Sequence, residues 1–153
     1  MEYPTWYGQK YPSIEDFELL AEQLGAIVIW TRSSQAAFSH GDGNHPPEIF
    51  IPRSAGSIEQ AWFIAHELGH LLHHMGPKGE ESWSREELTA CEWAACALIP
   101  ISRIRIYRNA SEDSMIAALS ANYEHIPSNE CKERDLAGYI AGVRLRALRK
   151  EVA

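Results

Sequence analysis

The stretch FIAHELGHLLHH, residues 63–74, sets two histidines four residues apart within an apolar run. On an α-helix this spacing places His66 and His70 on one face, one turn apart, so both imidazoles can reach the same ion. Glu67 lies on the neighbouring edge of that face, where a carboxylate can act as a general base toward water. Because two buried imidazoles without partners are costly, the stretch predicts a helix that holds a metal ion. The alternative is a hydrogen-bonded pair of core histidines.

This helix carries its own start and stop signals. Ser57 and Gln60 have the spacing of a capping box, which predicts a helix over about residues 58–74. Gly76, followed by proline, is expected to stop it. Gly69, inside the helix, permits another element to approach the backbone closely.

A catalytic zinc ion usually has three protein ligands, so a third is expected from another element. The run LTACEWAACALIP, residues 88–100, predicts a deeply buried second helix. Glu87 shares a face with the small residues of that helix, and we expect it to complete the metal site. Glu92, about 140° away, is the second choice, and Glu86 is expected at the exposed margin. Without a metal, Glu87 is a carboxylate stabilised by the helix dipole and Glu92 a salt-bridge residue.

Other reactive side chains have simpler interpretations. Cys91 is an alternative thiolate ligand on the favoured face, although Cys91 and Cys96 are expected to pack in the core. His73 and His74 are expected as polar residues near a helix C-terminus. The remaining histidines have no informative spacing and are expected on the surface or in loops: His40, His45 and His125.

The rest of the chain predicts an α+β fold with a small, mostly antiparallel sheet. Ser13 and Asp16 form a capping box before an amphipathic helix, which Gly25 ends. Prolines around the third of three short apolar runs suit an edge strand, along which an extended peptide can align. The three runs are AIVIW (26–30), QAAFS (35–39) and EIFIP (48–52).

Two C-terminal helices are expected, over 111–122 and 127–150, and the sheet should pack against the metal-binding helix and the buried Glu-bearing helix. We interpret the 153 residues as a single domain. Its core spans 13–100, and residues 101–153 form an additional helical part.

Charge and composition exclude several classes of protein. The formal charge of −7 and the pI near 5.5 give no general attraction to nucleic acid. The C-terminal helix has a basic cluster, but its regularly spaced apolar residues indicate a packing face rather than a DNA-binding one. The basic cluster comprises Arg144, Arg146, Arg149 and Lys150, and the apolar residues are Ala137, Ile140, Ala141, Leu145 and Leu148.

The location expected from the sequence is the cytoplasm. Three cysteines make a disulfide framework improbable. The N-terminal sequence lacks a basic segment followed by an apolar one, and no apolar run approaches the roughly 18 residues that a membrane span needs.

Three features, in order, carry a resemblance to a known family. They are a leading helix ending in LG before a strand, the sequence AHELGHLLHH, and a Glu-containing helix closing in AACALIP. They resemble the ImmA/IrrE family of small bacterial and phage zinc metallopeptidases, of the gluzincin type. That family pairs AHELGHLLLH with E-x-x-x-N-x-x-A-x-x-L-L-x-P, whose Glu completes the zinc site and here falls on Glu87. The resemblance covers about residues 13–100 and implies a zincin-like fold.

The second helix departs from the family pattern. Many members have a second Glu and an Asn or Asp where this chain has Thr89 and Cys91, and the frequent Phe is Trp93. The contacts that orient the ligands are therefore expected to differ.

The resemblance implies a regulatory endopeptidase that cleaves a partner protein, typically a helix-turn-helix transcriptional repressor. Zn²⁺ would be held by His66, His70 and Glu87, with Glu67 as the catalytic base. The rival hypothesis is a non-enzymatic, zinc-stabilised regulatory or toxin-antitoxin binding protein, which has no need of Glu67. An oxyanion-stabilising donor is also required, and the sequence favours none of four residues: Arg103, Tyr107, Tyr123 and His125.

Overall fold

The structure is a computed structural model that describes residues 3–39, 41–73, 80–107, 109–120 and 136–152. These ranges contain three strands and six helices in an α+β arrangement. In chain order they are α1 (Ile14–Gln23), β1 (Ile27–Thr31), β2 (Ala37–Ser39), β3 (Glu48–Pro52), α2 (Ser57–Leu72), α3 (Glu80–Leu98), α4 (Ile101–Ile106), α5 (Glu112–Ser120) and α6 (Leu136–Val152).

Helix α1 begins and ends as the sequence predicts. The Ser13 side chain accepts a hydrogen bond from the Asp16 backbone, and the Asp16 carboxylate accepts one from the Ser13 N–H at 2.8 Å. Gly25, just beyond the helix, has a φ of +77°, a conformation that favours glycine. Phe17 is fully buried and anchors α1 to the core.

The three strands form one mixed sheet in the order β1-β3-β2. β1 pairs with β3 in parallel and β2 pairs with β3 antiparallel, so the prediction of a mostly antiparallel sheet is wrong. The prediction that residues 48–52 form an edge strand is also wrong, because β3 is central. The N–H of Arg53 donates to the carbonyl of Thr31 in β1, so the backbone groups of the preceding residue, Pro52, face β2. Since the β2 ladder already ends at Phe50, the missing N–H of Pro52 breaks no ladder bond.

The start of α2 is fixed by a side chain rather than by a capping box. The N-cap residue is Gly56, which makes no side-chain cap, so the predicted pair of Ser57 and Gln60 is wrong. The Gln60 amide instead donates to the carbonyls of Pro52 at 3.1 Å and Arg53 at 3.2 Å. These bonds tie the end of the central strand to the helix that carries the histidines.

Helices α2 and α3 approach each other through residues without large side chains. A Cβ added at Gly69 would lie 2.8 Å from both the Cα and the carbonyl oxygen of Ala90 in α3. Ala94, one turn further along α3, is fully buried. The predicted role of Gly69 and the small-residue face of the second helix are both confirmed.

The boundaries of α2 and α3 differ from the predicted ones. α3 begins at Glu80, well before the apolar run at 88–100. The sequence of its early turns, EESWSREE, is mostly polar, so no apolar periodicity marks them. α2 ends at Leu72, and the glycine and proline expected to stop it lie outside the described residues.

Three helices follow α3 in the described ranges. α5 and α6 match the two predicted C-terminal helices in place, while the sequence did not predict the short α4. Residues 121–135, which include the start of the second predicted helix, lie outside the description. None of the described helices has the length and apolar character needed to cross a membrane.

Helix α6 packs against α3 through its apolar face, as predicted. Ile140, Ala141 and Leu145 are all buried. Arg144 is buried as well, and its Nε donates to the carbonyl of Ile99 at 3.1 Å, beyond the last turn of α3. Arg144, a member of the predicted basic cluster, therefore lies in the core and bonds to the main chain there.

Replacing Gly69 with alanine is expected to lower the free energy of unfolding by about 1–3 kcal/mol, because the new methyl group meets the backbone of Ala90. At a helix position with open space around it, replacing glycine with alanine raises the free energy of unfolding by about 1 kcal/mol. A decrease at position 69 therefore indicates the close contact with α3. Gly43→Ala is the control, since an added Cβ there meets nothing within 4 Å. Denaturant unfolding should show no loss for Gly43→Ala; equal stability of both variants would contradict the close contact.

Candidate metal centre

The two histidines of α2 direct the same ring nitrogen toward one point. His66 is 1% exposed and His70 3% exposed. Their Nε2 atoms lie 3.2 Å apart, on consecutive turns of the helix as the spacing predicts. The pair is thus removed from water and concentrated at the interface with α3.

Helix α3 brings Glu87 to the same point. Its Oε1 lies 2.9 Å from Nε2 of His66, and its Oε2 lies 2.8 Å from Nε2 of His70. Ligand atoms of all three residues lie within 4.8 Å of one another. The Glu87 side chain is 35% exposed, so solvent reaches the cluster from its side.

The spacing and chemistry of these atoms fit a small divalent cation. In a tetrahedral site with bonds of about 2.0–2.1 Å, neighbouring ligand atoms lie about 3.3 Å apart. The separations here run from 2.8 to 3.2 Å. Two further carboxylates, Glu67 and Glu86, are buried nearby, at 5% and 1% exposure. One carboxylate and two imidazole nitrogens are ligand types that zinc takes in catalytic sites.

The outer nitrogen of each histidine ring has its own partner. Nδ1 of His70 donates to Oε2 of Glu86 at 2.9 Å. Nδ1 of His66 lies 3.5 Å from Sγ of Cys91. The carboxylate of Glu86 keeps a proton on Nδ1 of His70, so loss of the Nε2 proton would leave the Nε2 lone pair of that ring facing the shared point. The Glu86 contact therefore favours the tautomer of His70 that can bind a metal.

Glu86 is the residue that sequence reasoning missed, and its predicted place at the exposed margin is wrong. It lies one turn before Ala90, the residue packed against Gly69, and therefore on the contact face of α3. Spacing measured from the partner of Gly69 would have found it. When the contact face of α3 is instead measured from Glu87, Glu86 falls too far from the interface.

Electrostatics couple the carboxylates to the imidazoles. Burial by itself raises the pKa of Glu87, but hydrogen bonds from His66 and His70 outweigh it and hold that pKa well below its usual range. Burial lowers the pKa of His70, whereas hydrogen bonds to Glu87 and Glu86, together with the charge of Glu67, raise it; the net result is a raised pKa. A proton on the imidazoles therefore balances Glu87, and a bound cation would displace that proton.

Glu67, the predicted base, is buried beside this cluster. Its charge contributes to the raised pKa of His70, which places it within electrostatic reach of that ring. The atoms that could hold an ion together come from His66, His70 and Glu87.

The second-choice ligands lie elsewhere or face the wrong way. Glu92 pairs with Lys150 of α6 at 3.2 Å, which is the salt bridge expected of it without a metal. Cys91 contacts the outer nitrogen of His66, away from the Nε2 atoms. Cys91 and Cys96 are buried in the core, as predicted, while Cys131 lies outside the described residues.

The other histidines and the candidate oxyanion donors have other contacts in the structure or lie outside the described residues. Nδ1 of His73 donates to the carbonyl of Gly69 at 2.9 Å, at the end of α2. Arg103 donates to the hydroxyl of Tyr11 at 3.0 Å, and Tyr107 packs against the core. His45 is exposed and contacts Asp42. The residues outside the description are His40, His74, Tyr123 and His125.

Edge strand β2 flanks the centre. The ring of Phe38 stacks on that of His70, with centroids 6.2 Å apart and an interplanar angle of 12°. On the other histidine, the ring of Trp62 lies 5.6 Å from that of His66. The strand edge beside the candidate metal centre is therefore β2 and not residues 48–52.

More than half of the chain matches a family model. The model is that of the IrrE N-terminal-like domain, a peptidase family, and the match covers residues 21–124. This range includes the sheet, α2 and α3, and so the whole candidate centre. No curated protein and no solved structure matches the chain.

Replacing Glu86 with alanine is expected to weaken zinc affinity about 10- to 100-fold, because His70 loses the carboxylate that orients its ring. Glu86→Gln, whose amide oxygen can still accept from Nδ1, should fall between alanine and wild type. Glu92→Ala removes a carboxylate from the same helix and should leave the affinity within about twofold. Competition with a chromophoric chelator measures these affinities; a wild-type value for Glu86→Ala would contradict the assigned contact.

Proposed function

The chain belongs to the peptidase family of the IrrE N-terminal-like domain, and we propose that it is a zinc-dependent endopeptidase. In this proposal His66, His70 and Glu87 are the protein ligands of the zinc ion and Glu67 is the catalytic base. The observation that carries it is the convergence of two Nε2 atoms and one carboxylate on a single point, beside a further buried carboxylate.

The protein side chains have separate tasks in peptide hydrolysis. Glu67 takes a proton from the attacking water and passes it to the leaving amine. Glu86 and Cys91 hold the two imidazole rings in place through their Nδ1 atoms. A bound zinc ion supplies positive charge that acidifies water and polarises the scissile carbonyl. The partly exposed side of Glu87 provides the route by which substrate enters.

An extended substrate is proposed to align along β2. This strand is an edge of the sheet, and Phe38 in it stacks on His70. Main-chain groups at a sheet edge bind an extended peptide in register, so the scissile bond would be positioned by the same strand that packs on the centre.

The proposed substrate is a partner protein, with a helix-turn-helix transcriptional repressor as the first candidate. Support for this comes from the resemblance to the ImmA/IrrE family, since nothing in the centre itself selects a protein. The rival, a non-enzymatic zinc-stabilised or toxin-antitoxin protein, does not account for a buried Glu67 next to the histidines. A structural ion needs no base at that position.

Glu67→Gln is expected to keep one zinc ion per chain and to lower peptide hydrolysis by about 10²- to 10⁴-fold, because only the proton acceptor is removed. The test compares new protein N-termini, identified by terminal-amine labelling and mass spectrometry, in a lysate of the source cells treated with zinc-loaded wild type or Glu67→Gln. N-termini produced by wild type alone identify the substrate, and the repressor proposal expects them in a DNA-binding protein. Identical N-termini in both samples would remove the peptidase proposal.

A further inference from the structure

A second surface lies at the opposite edge of the sheet from the metal centre. There, a groove of about 390 Å³ runs between helix α1 and strand β1. Since β3 separates β1 from β2, and β2 carries the residue that stacks on His70, this groove is distinct from the candidate metal centre. Its lining residues are Glu15, Glu18, Leu19, Glu22, Ala26 and Val28.

One wall of the groove is an open strand edge. The N–H of Ile27 donates to Pro47, and the carbonyl of Thr31 accepts from Arg53, so alternate residues of β1 bond to β3. The residues between them, Val28 and Trp30, therefore point their N–H and C=O groups away from the sheet. Within the described part of the chain, no backbone hydrogen bond reaches these outward groups. Such an edge is a template for another strand.

The opposite wall is acidic with an apolar centre. Glu15, Glu18 and Glu22 follow one another at helical spacing along α1, and none forms an ion pair with a described residue. The nearby Asp16 differs, because Lys10 neutralises it at 3.1 Å. Leu19, between the glutamates, is 54% exposed. The wall thus offers unbalanced negative charge around a hydrophobic contact.

We propose that this groove binds an extended, basic segment of a partner protein, which adds to β1 as a fourth strand. Its main chain would pair with Val28 and Trp30, and alternate side chains would face α1. Lysine or arginine side chains in those positions meet the glutamates, and their aliphatic stems cover Leu19. A second copy of this chain is a poor occupant, since pairing two β1 edges would bring two rows of glutamates together.

The test uses a fluorescein-labelled octapeptide that alternates lysine and valine, and measures its binding by fluorescence anisotropy. Glu18→Lys and Glu22→Lys should each weaken binding about fivefold or more, because each reverses a charge on the groove wall. Asp113→Lys makes the same charge change at an exposed position of α5 and should leave binding unchanged. Circular dichroism of each variant verifies the fold.

Two further readouts separate strand addition from simple charge attraction. Binding of the peptide should slow amide hydrogen exchange at Val28 and Trp30 but not at Ile27, whose N–H is already bonded. A peptide N-methylated at every second residue should fail to bind, since it cannot donate to the edge. Equal binding of an alternating glutamate and valine peptide, or unchanged exchange at Val28 and Trp30, would overturn the proposal. Protection of these amides in the free protein that rises with its concentration would assign the edge to a second copy instead.

Discussion

The contact between Gly69 and Ala90 is the constraint on which the rest of the centre depends. Without a side chain at position 69, the backbone of α3 approaches α2 closely enough that an added Cβ would overlap it. That approach sets the height and rotation of α3 against the histidine helix. Glu86 and Glu87, one turn earlier on α3, are thereby delivered to the outer and inner nitrogens of the imidazoles.

The same interface couples the centre to a proton or a cation. Buried imidazoles and carboxylates lose hydration, and the hydrogen bonds between Glu87 and the imidazoles outweigh that loss while a proton is present. In the protein without metal, the low pKa of Glu87 and the raised pKa of His70 reflect a proton held between them. Replacement of that proton by a dication adds one positive charge beside Glu87, so binding energy is expected to stabilise the α2–α3 interface. The site and the packing are therefore one structural unit.

Local patterns predicted those features that depend on a single helix. The spacing of His66 and His70, the cap at Ser13 and the role of Gly69 each follow from geometry within one or two turns. The helix face of Glu87 could be predicted for the same reason, because Glu87 shares a helix with Ala90 and Ala94. The order of the strands could not be predicted in this way, since β1 pairs with β3 across a long connection and β2 has only three residues. The burial of Glu86 could be predicted only by knowing which residue of α3 meets Gly69, and that depends on how the two helices pack.

The central claim is that His66, His70 and Glu87 together hold one metal ion. The most direct test is the zinc content per chain after equilibration with zinc and dialysis, measured by elemental mass spectrometry for wild type, Glu87→Gln and Glu92→Gln. The two glutamates share a helix, but only Glu87 contacts the histidines, while Glu92 pairs with Lys150. We expect one zinc ion in wild type and in Glu92→Gln, and its loss from Glu87→Gln. Full zinc content in Glu87→Gln, or its loss from Glu92→Gln alone, would contradict the assignment.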